Sequence, residues 1–185
     1  MRPSTLIDSR QLELIIERLS HQLVENHDDF KDSVLLGIQP RGIYLTNRIQ
    51  ANLEKILGPK CKIQSGKLDI TFYRDDFRRR ESPLEANTTN LDFIIEDKRV
   101  ILIDDVLYTG RTIRAAMDAM LAYGRPKDVE LLILIDRRFS RQLPIESNYV
   151  GMAVDSLASQ RVKVQWAESE KEDKVLLYST EEKNV

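Results

Sequence analysis

Asp104 and Asp105, adjacent carboxylates that close the apolar run Val100–Ile103, are the residues of this sequence best suited to chemistry. Shortly after them comes Thr109-Gly110-Arg111-Thr112, a small-residue loop leading into helix-forming sequence. Exposed backbone N–H groups and a helix dipole make such a loop an anion site. Carboxylates beside an anion site suit a ligand carrying both phosphate and hydroxyl groups. A phosphorylated sugar meets both needs, with its phosphate in the Thr109–Thr112 cradle and its ribose hydroxyls donating to Asp104 and Asp105. An isolated Asp-Asp would read instead as an ordinary strand-to-helix turn with a capping threonine. The order of acidic pair, loop and flanking elements favours the ligand.

Those groups need a strand before them and a helix after them. Val100–Ile103 is apolar, short and β-branched, which predicts a buried strand of a parallel sheet. Ile113, Ala116, Met117, Met120 and Leu121 share one helical face, and Gly124 and Pro126 end that helix. Upstream, Asp8 and Gln11 form a capping box for a helix whose stripe is Leu12, Ile15, Ile16, Leu19 and Leu23. Val34–Ile38 reads as a second buried strand. Gln39-Pro40-Arg41-Gly42 follows it, then a helix with Leu45, Ile49, Leu53 and Ile56 inward and Gly58-Pro59 as its stop. Leu68, Ile70 and Phe72 alternate as a half-buried strand, whereas 74–90 lack apolar periodicity and read as a mobile loop. Val129–Ile135 is another apolar strand, and Tyr149–Val154, Val162–Trp166 and Val175–Tyr178 are short extended segments. The alternation predicts an α/β fold with a doubly wound, mostly parallel sheet. One domain is expected over 1–185, its core at about 30–140 and a small hood from about 141–185 with the N-terminal segment.

Bulk properties narrow the function. A formal net charge of −2 excludes a global basic field for nucleic acid. The single cysteine, Cys61, excludes an intrachain disulfide, and with two histidines it cannot build a zinc centre without carboxylates. No segment approaches the roughly 18–20 apolar residues of a membrane span, and no signal-peptide core is evident, so a cytoplasmic protein is expected.

With these elements around it, the Asp104–Thr112 segment closely resembles the phosphoribosyl-pyrophosphate (PRPP) signature of type I phosphoribosyltransferases. The resemblance implies that Asp104 and Asp105 hold ribose hydroxyls and the positive charge that develops at C1 as diphosphate departs. Val106, Leu107, Tyr108, Thr109, Gly110, Arg111 and Thr112 would bind the 5-phosphate. Pro40 and Arg41 would form a PRPP loop, Arg41 forking diphosphate oxygens, although a solvated turn arginine is the alternative. Mg²⁺ would ride on PRPP oxygens, with no protein-built metal site. Tyr73, Arg74, Asp75 and Asp76 would open a lid that keeps water from the reacting carbon. The charged run Arg78–Arg80 with Glu81 reads first as a solvated face. Asp136, Arg137 and Val162 would surround the base, unless Asp136–Pro144 is only a solvated connection. Purine-using members usually carry an aspartate at the Tyr108 slot, so the tyrosine suits a pyrimidine.

Across nearly the whole length the chain resembles the PyrR family of pyrimidine-operon attenuators and uracil phosphoribosyltransferases. The resemblance rests on His21, Gly37-Ile38, Arg41–Leu45, Leu68–Thr71, Tyr73–Asp76, Asp104–Arg114, Gly124-Arg125-Pro126, Asp136-Arg137, Leu143-Pro144-Ile145 and Tyr149-Val150-Gly151. It implies PRPP, uracil, UMP and diphosphate as ligands, and a homodimer or higher homo-oligomer. There are departures. Arg138–Gln142 replaces a Gly-His-Arg-Glu stretch and is one residue longer, while Glu17, Glu146 and Met152 stand where the family often has Thr, Arg and Lys. Those positions belong to the RNA-facing surface of attenuator members, and the exchanges remove phosphate partners. An RNA-binding attenuator with little catalysis, or a transferase for another base, are the competing readings.

Overall fold

The structure is a computed structural model that describes residues 3–75 and 88–179. The expectations for Asp76, Arg78–Arg80 and Glu81 lie outside the described residues. Chain order runs β1 (Ser4–Ile7), α1 (Ser9–His27), β2 (Ser33–Ile38), α2 (Gly42–Leu57), β3 (Gln64–Leu68), a 3₁₀ turn at Thr71–Tyr73 and β4 (Arg99–Leu107). Then come α3 (Arg111–Leu121), β5 (Asp128–Arg138), β6 (Tyr149–Asp155), β7 (Gln160–Gln165), α4 (Ala167–Glu170) and β8 (Lys174–Ser179). A five-stranded parallel sheet has the order β3-β2-β4-β5-β6, and β1-β8-β7 form a separate three-stranded antiparallel sheet.

Continuous apolar strands imply a sheet covered on both faces. Leu35, Ile101, Ile103, Leu132 and Leu134 pack with Leu12, Leu19, Leu45 and Ile49 of α1 and α2. Their neighbours Leu36, Leu102, Leu131 and Ile133 pack on the other face with Ile113, Ala116 and Met120 of α3. Ile7, Val162, Val164 and Val175 of the small sheet, with Trp166 just after β7, join the α1–α2 cluster, which seats that sheet on the same core. The Asp8–Gln11 capping box is formed from both sides. Gly42 permits the close approach of α2 to β4, since a Cβ there would meet the Ile103 carbonyl oxygen at 2.3 Å.

Several boundaries differ from the sequence expectation. β3 stops at Leu68, because Asp69 Oδ1 accepts from the Thr71 N–H at 3.2 Å and hydroxyl at 2.7 Å, closing a local turn. Phe72 is therefore exposed rather than facing the core. β4 continues through the acidic pair, with Asp104, Val106 and Leu107 in register with Ile133, Ile135 and Asp136 of β5. β5 likewise includes Asp136 and Arg137, which pair with Ala153 and Val154. β6, in the segment expected to form the hood, is an edge strand of the large sheet. Ile56 and Leu121 are exposed, each at the last turn of its helix.

Candidate functional site

Between the end of β4 and the start of α3 the chain turns through Tyr108-Thr109-Gly110, with Gly110 at φ 91° in the left-handed region that glycine tolerates. A cavity of about 230 Å³ lies over this handover, lined by Arg74, Asp75 and the continuous segment Val106–Ile113. Every residue assigned to the phosphate cradle by the PRPP resemblance is thus gathered around one space, together with Arg74 and Asp75 of the segment expected to form a lid. The first-turn N–H groups of α3 have no carbonyl partner within the helix, which suits an anion.

An internal carboxylate already rests on the cations of this cavity. Arg111 Nη1 donates to Asp75 Oδ2 at 2.5 Å, and Arg114 Nη2 lies 3.9 Å from the same oxygen. The Arg111 hydrogen bond holds the Asp75 carboxyl below its usual range. Arg114 also donates to the Tyr73 carbonyl at 3.3 Å, tying the 3₁₀ turn to α3.

Asp104 and Asp105 are buried within β4, each 7% exposed, and not in a solvent-facing loop. Asp104 Oδ1 accepts the Asp105 N–H at 2.9 Å. Arg41, at the N-cap of α2, donates Nε to Asp105 Oδ2 at 2.8 Å and Nη2 to the Val164 carbonyl of β7. Burial, and then the neighbouring Asp105 charge, hold Asp104 well above the ordinary carboxylate range. Burial also raises Asp105, opposed by the hydrogen bond and charge of Arg41. The pair is poised to take up hydroxyl protons as hydrogen bonds and to feel positive charge strongly in a low-dielectric setting. Lys163 and Glu170 extend the polar surroundings, with Glu170 Oε1 2.6 Å from Lys163 Nζ and Oε2 3.9 Å from Arg41 Nη2. Pro40, exposed just before Arg41, does not line the cavity.

The residues expected around a base are more dispersed. Asp136 Oδ1 accepts from Arg141 Nη2 at 2.5 Å. Arg137 is buried beneath the Tyr108 ring, its Cζ 3.9 Å from the ring centroid. Its Nε donates to Ser156 Oγ at 2.9 Å, and Nη2 donates to the Gln160 and Leu157 carbonyls at 2.7 and 3.3 Å. Val162 is a buried member of the apolar cluster. Among the described residues, none of these three lines the cavity over α3. Nor does any group of three or more His, Cys, Asp or Glu side chains there suit a metal ion.

Sequence reasoning passed over Arg141, Gln142 and Arg114. Arg141 Nη1 donates to the Tyr108 carbonyl at 2.6 Å, and Gln142 Oε1 accepts from Arg111 Nε at 2.9 Å. For Arg141 and Gln142 the available signal was the longer Arg138–Gln142 connection, and for Arg114 its place in the first turn of the helix after the cradle.

A phosphoribosyl transferase domain model matches residues 4–169. The bifunctional protein PyrR of Caldicellulosiruptor bescii is 42% identical over 172 residues, covering 93% of each chain. That of Bacillus subtilis is 37% identical over 180 residues, covering 96% of this chain and 98% of the relative. Among solved structures, a hypoxanthine phosphoribosyltransferase from Staphylococcus aureus superposes with a TM-score of 0.69 at 18% identity, covering 97% of this chain and 93% of that one. The hypoxanthine phosphoribosyltransferase of Trypanosoma cruzi reaches 0.71 at 13% identity, covering 96% and 97%. At such identities the structural likeness is one of fold.

Proposed function

The chain belongs to the phosphoribosyl transferase family, within its PyrR branch, and on that premise we propose that it transfers phosphoribosyl from PRPP to uracil. The C1–N1 bond to the base forms as the C1–O bond to diphosphate breaks, giving UMP and diphosphate, with the uracil N1 proton released to the diphosphate or solvent. The observation that carries the reading is the cavity at the α3 N-terminus, adjoining a buried acidic pair on the preceding strand. The 5-phosphate occupies the Val106–Thr112 cradle, and Asp104 and Asp105 accept from the ribose hydroxyls. Arg41 exchanges its Asp105 and Val164 partners for diphosphate oxygens. Mg²⁺ would ride on PRPP oxygens, with the carboxylates of Asp104 and Asp105 the nearby oxygen donors this ion accepts while keeping waters, and would supply charge neutralisation for the diphosphate. The lid beginning at Tyr73 excludes water, and Asp136, Arg137 and Val162 border the base. Tyr108, in the slot where purine-using members usually carry an aspartate, supports a pyrimidine.

The test is direct. Purified protein with PRPP, Mg²⁺ and radiolabelled uracil should yield UMP. PRPP binding without UMP formation would refute the uracil assignment, and competition by a panel of bases would then name the acceptor.

The relatives are named bifunctional, and the family resemblance supplies RNA-dependent regulation as the second reading. His21 is exposed on α1 and lines a groove with Glu13, Glu17, Asn52 and Lys55. Glu17 and exposed Glu146 place negative charge where phosphates would have to approach, so weak RNA binding is expected. A gel shift with pyrimidine-operon leader RNA, with and without UMP, decides it, and nanomolar UMP-dependent affinity would overturn the expectation.

A further inference from the structure

The connection between β5 and β6 grips the phosphate cradle from behind. Arg141 Nη1 donates to the Tyr108 carbonyl at 2.6 Å. The N–H groups of Gln142 and Leu143 both donate to the Thr109 carbonyl, at 3.0 and 3.2 Å. The Gly110 carbonyl accepts the Arg114 N–H at 3.0 Å, the first turn of α3. Three successive carbonyls are therefore bound by protein donors.

That arrangement has a consequence for charge. In a planar trans peptide the C=O of one residue and the N–H of the next point in opposite directions. Pinning the carbonyls of Tyr108, Thr109 and Gly110 turns the N–H groups of Thr109, Gly110 and Arg111 the other way. A flipped peptide would present an oxygen lone pair to the phosphate and replace attraction by repulsion. Arg141 is itself anchored, since its Nη2 sits 2.5 Å from Asp136 Oδ1 at the end of β5. The guanidinium thereby ties the base side of the sheet to the phosphate side, using a fork geometry that lysine lacks.

We propose that Arg141, assisted by the backbone N–H groups of Gln142 and Leu143, is a positioning residue that keeps the Tyr108 and Thr109 peptides oriented as phosphate donors, while the first turn of α3 holds that of Gly110. It touches no reacting atom. The proposal rests on the phosphoribosyltransferase reading of this cavity and adds a residue to it. Its effect falls on PRPP rather than on the base, which separates it from a general structural role.

The experiment compares wild type, Arg141→Ala, Arg141→Gln and Arg141→Lys in the uracil assay, with calorimetric titration of PRPP in Mg²⁺. Arg141→Ala should raise the KM and Kd for PRPP by about tenfold or more, the scale on which small misplacements of a binding group act. The KM for uracil should stay within about twofold, and Arg141→Lys, which can reach one partner, should recover part of the loss. Should the alanine variant not fold, Arg141→Gln, which keeps a donor but not the charge, carries the same comparison. PRPP affinity unchanged in folded variants of an active enzyme would overturn the bracket alone. A rise confined to the uracil KM would assign Arg141 to the base instead. Wild-type protein that neither binds nor turns over PRPP would remove the site reading and the bracket with it.

Discussion

Arg41 and Asp105, on different elements and distant in sequence, meet in a 2.8 Å hydrogen bond that joins the start of α2 to the interior of β4. The contact forms because Gly42 lets the helix terminus rest against the Ile103–Asp104 backbone. It couples the proposed diphosphate ligand to the proposed ribose ligand before either has a substrate.

Arg41→Ala should lower kcat/KM for PRPP by roughly two orders of magnitude, the range for losing a preorganised charge-stabilising donor. It should also move the acid limb of the pH profile upward. Arg41 opposes the rise that burial imposes on Asp105, so its removal makes the acidic pair protonate at higher pH. A pH–rate profile of both proteins checks this, and coincident acid limbs would deny the coupling.

Asp104→Asn should abolish most turnover while raising the Tm by a few degrees at neutral pH. The folded-state pKa of Asp104 stands well above its usual 3.8, so the folded chain holds this proton more tightly than the unfolded chain does. Stability from that proton is fully present below 3.8 and is lost as pH rises through the folded-state value. Asparagine can still accept the Asp105 N–H and carries no buried charge. Melting curves from pH 4 to 8 should show the gain growing with pH, and a Tm loss at neutral pH would mark the carboxylate as structural.

Asp75→Ala should lower the KM for PRPP by about two- to fivefold, the range of an exposed ion pair. Asp75 occupies Arg111 at 2.5 Å in the cavity proposed for the 5-phosphate, and must leave as the phosphate arrives. The advantage should shrink with added salt. A higher KM in the variant would show that Asp75 organises the lid rather than competing with the ligand.

His27 makes the fold sensitive to acid far from the cradle. Its Nδ1 lies 2.8 Å from Ser33 Oγ and its Nε2 2.9 Å from Glu130 Oε2, which assigns Nε2–H as donor and Nδ1 as acceptor from Ser33. Burial, exceeding the attraction of Glu130, holds His27 below its usual 6.5. Burial and the Glu130 hydrogen bond push Tyr149 of the same network up to about 12. Below about pH 6.5 the unfolded chain takes up a proton that folded His27 refuses, so Tm should fall with falling pH there. His27→Gln should flatten that limb, and an unchanged slope would place the acid sensitivity elsewhere.

The cradle is legible in the sequence because its parts are contiguous: strand, acidic pair, small-residue loop and helix follow one another in the chain. The parallel sheet is equally legible, since runs such as Val100–Ile103 have no polar face to expose. Less visible is where β4 ends. Asp104 and Asp105 read as the start of a loop, yet pairing with β5 carries the strand past them into the core. Arg137 reads as a base ligand, and its hydrogen bonds to Ser156, Leu157 and Gln160 and its place under the Tyr108 ring were not legible in the sequence.

Residue order alone determined the α/β alternation and the succession of strand, acidic pair, small-residue loop and helix proposed as the ligand site, because periodicity and local spacing act over a few residues. Only the tertiary structure decided which charges are buried and which arginine braces which loop. Those outcomes depend on groups brought together from far along the chain, such as Arg41 with Asp105 and Arg141 with Tyr108, where burial and hydrogen-bond completion, not local preference, set the partners.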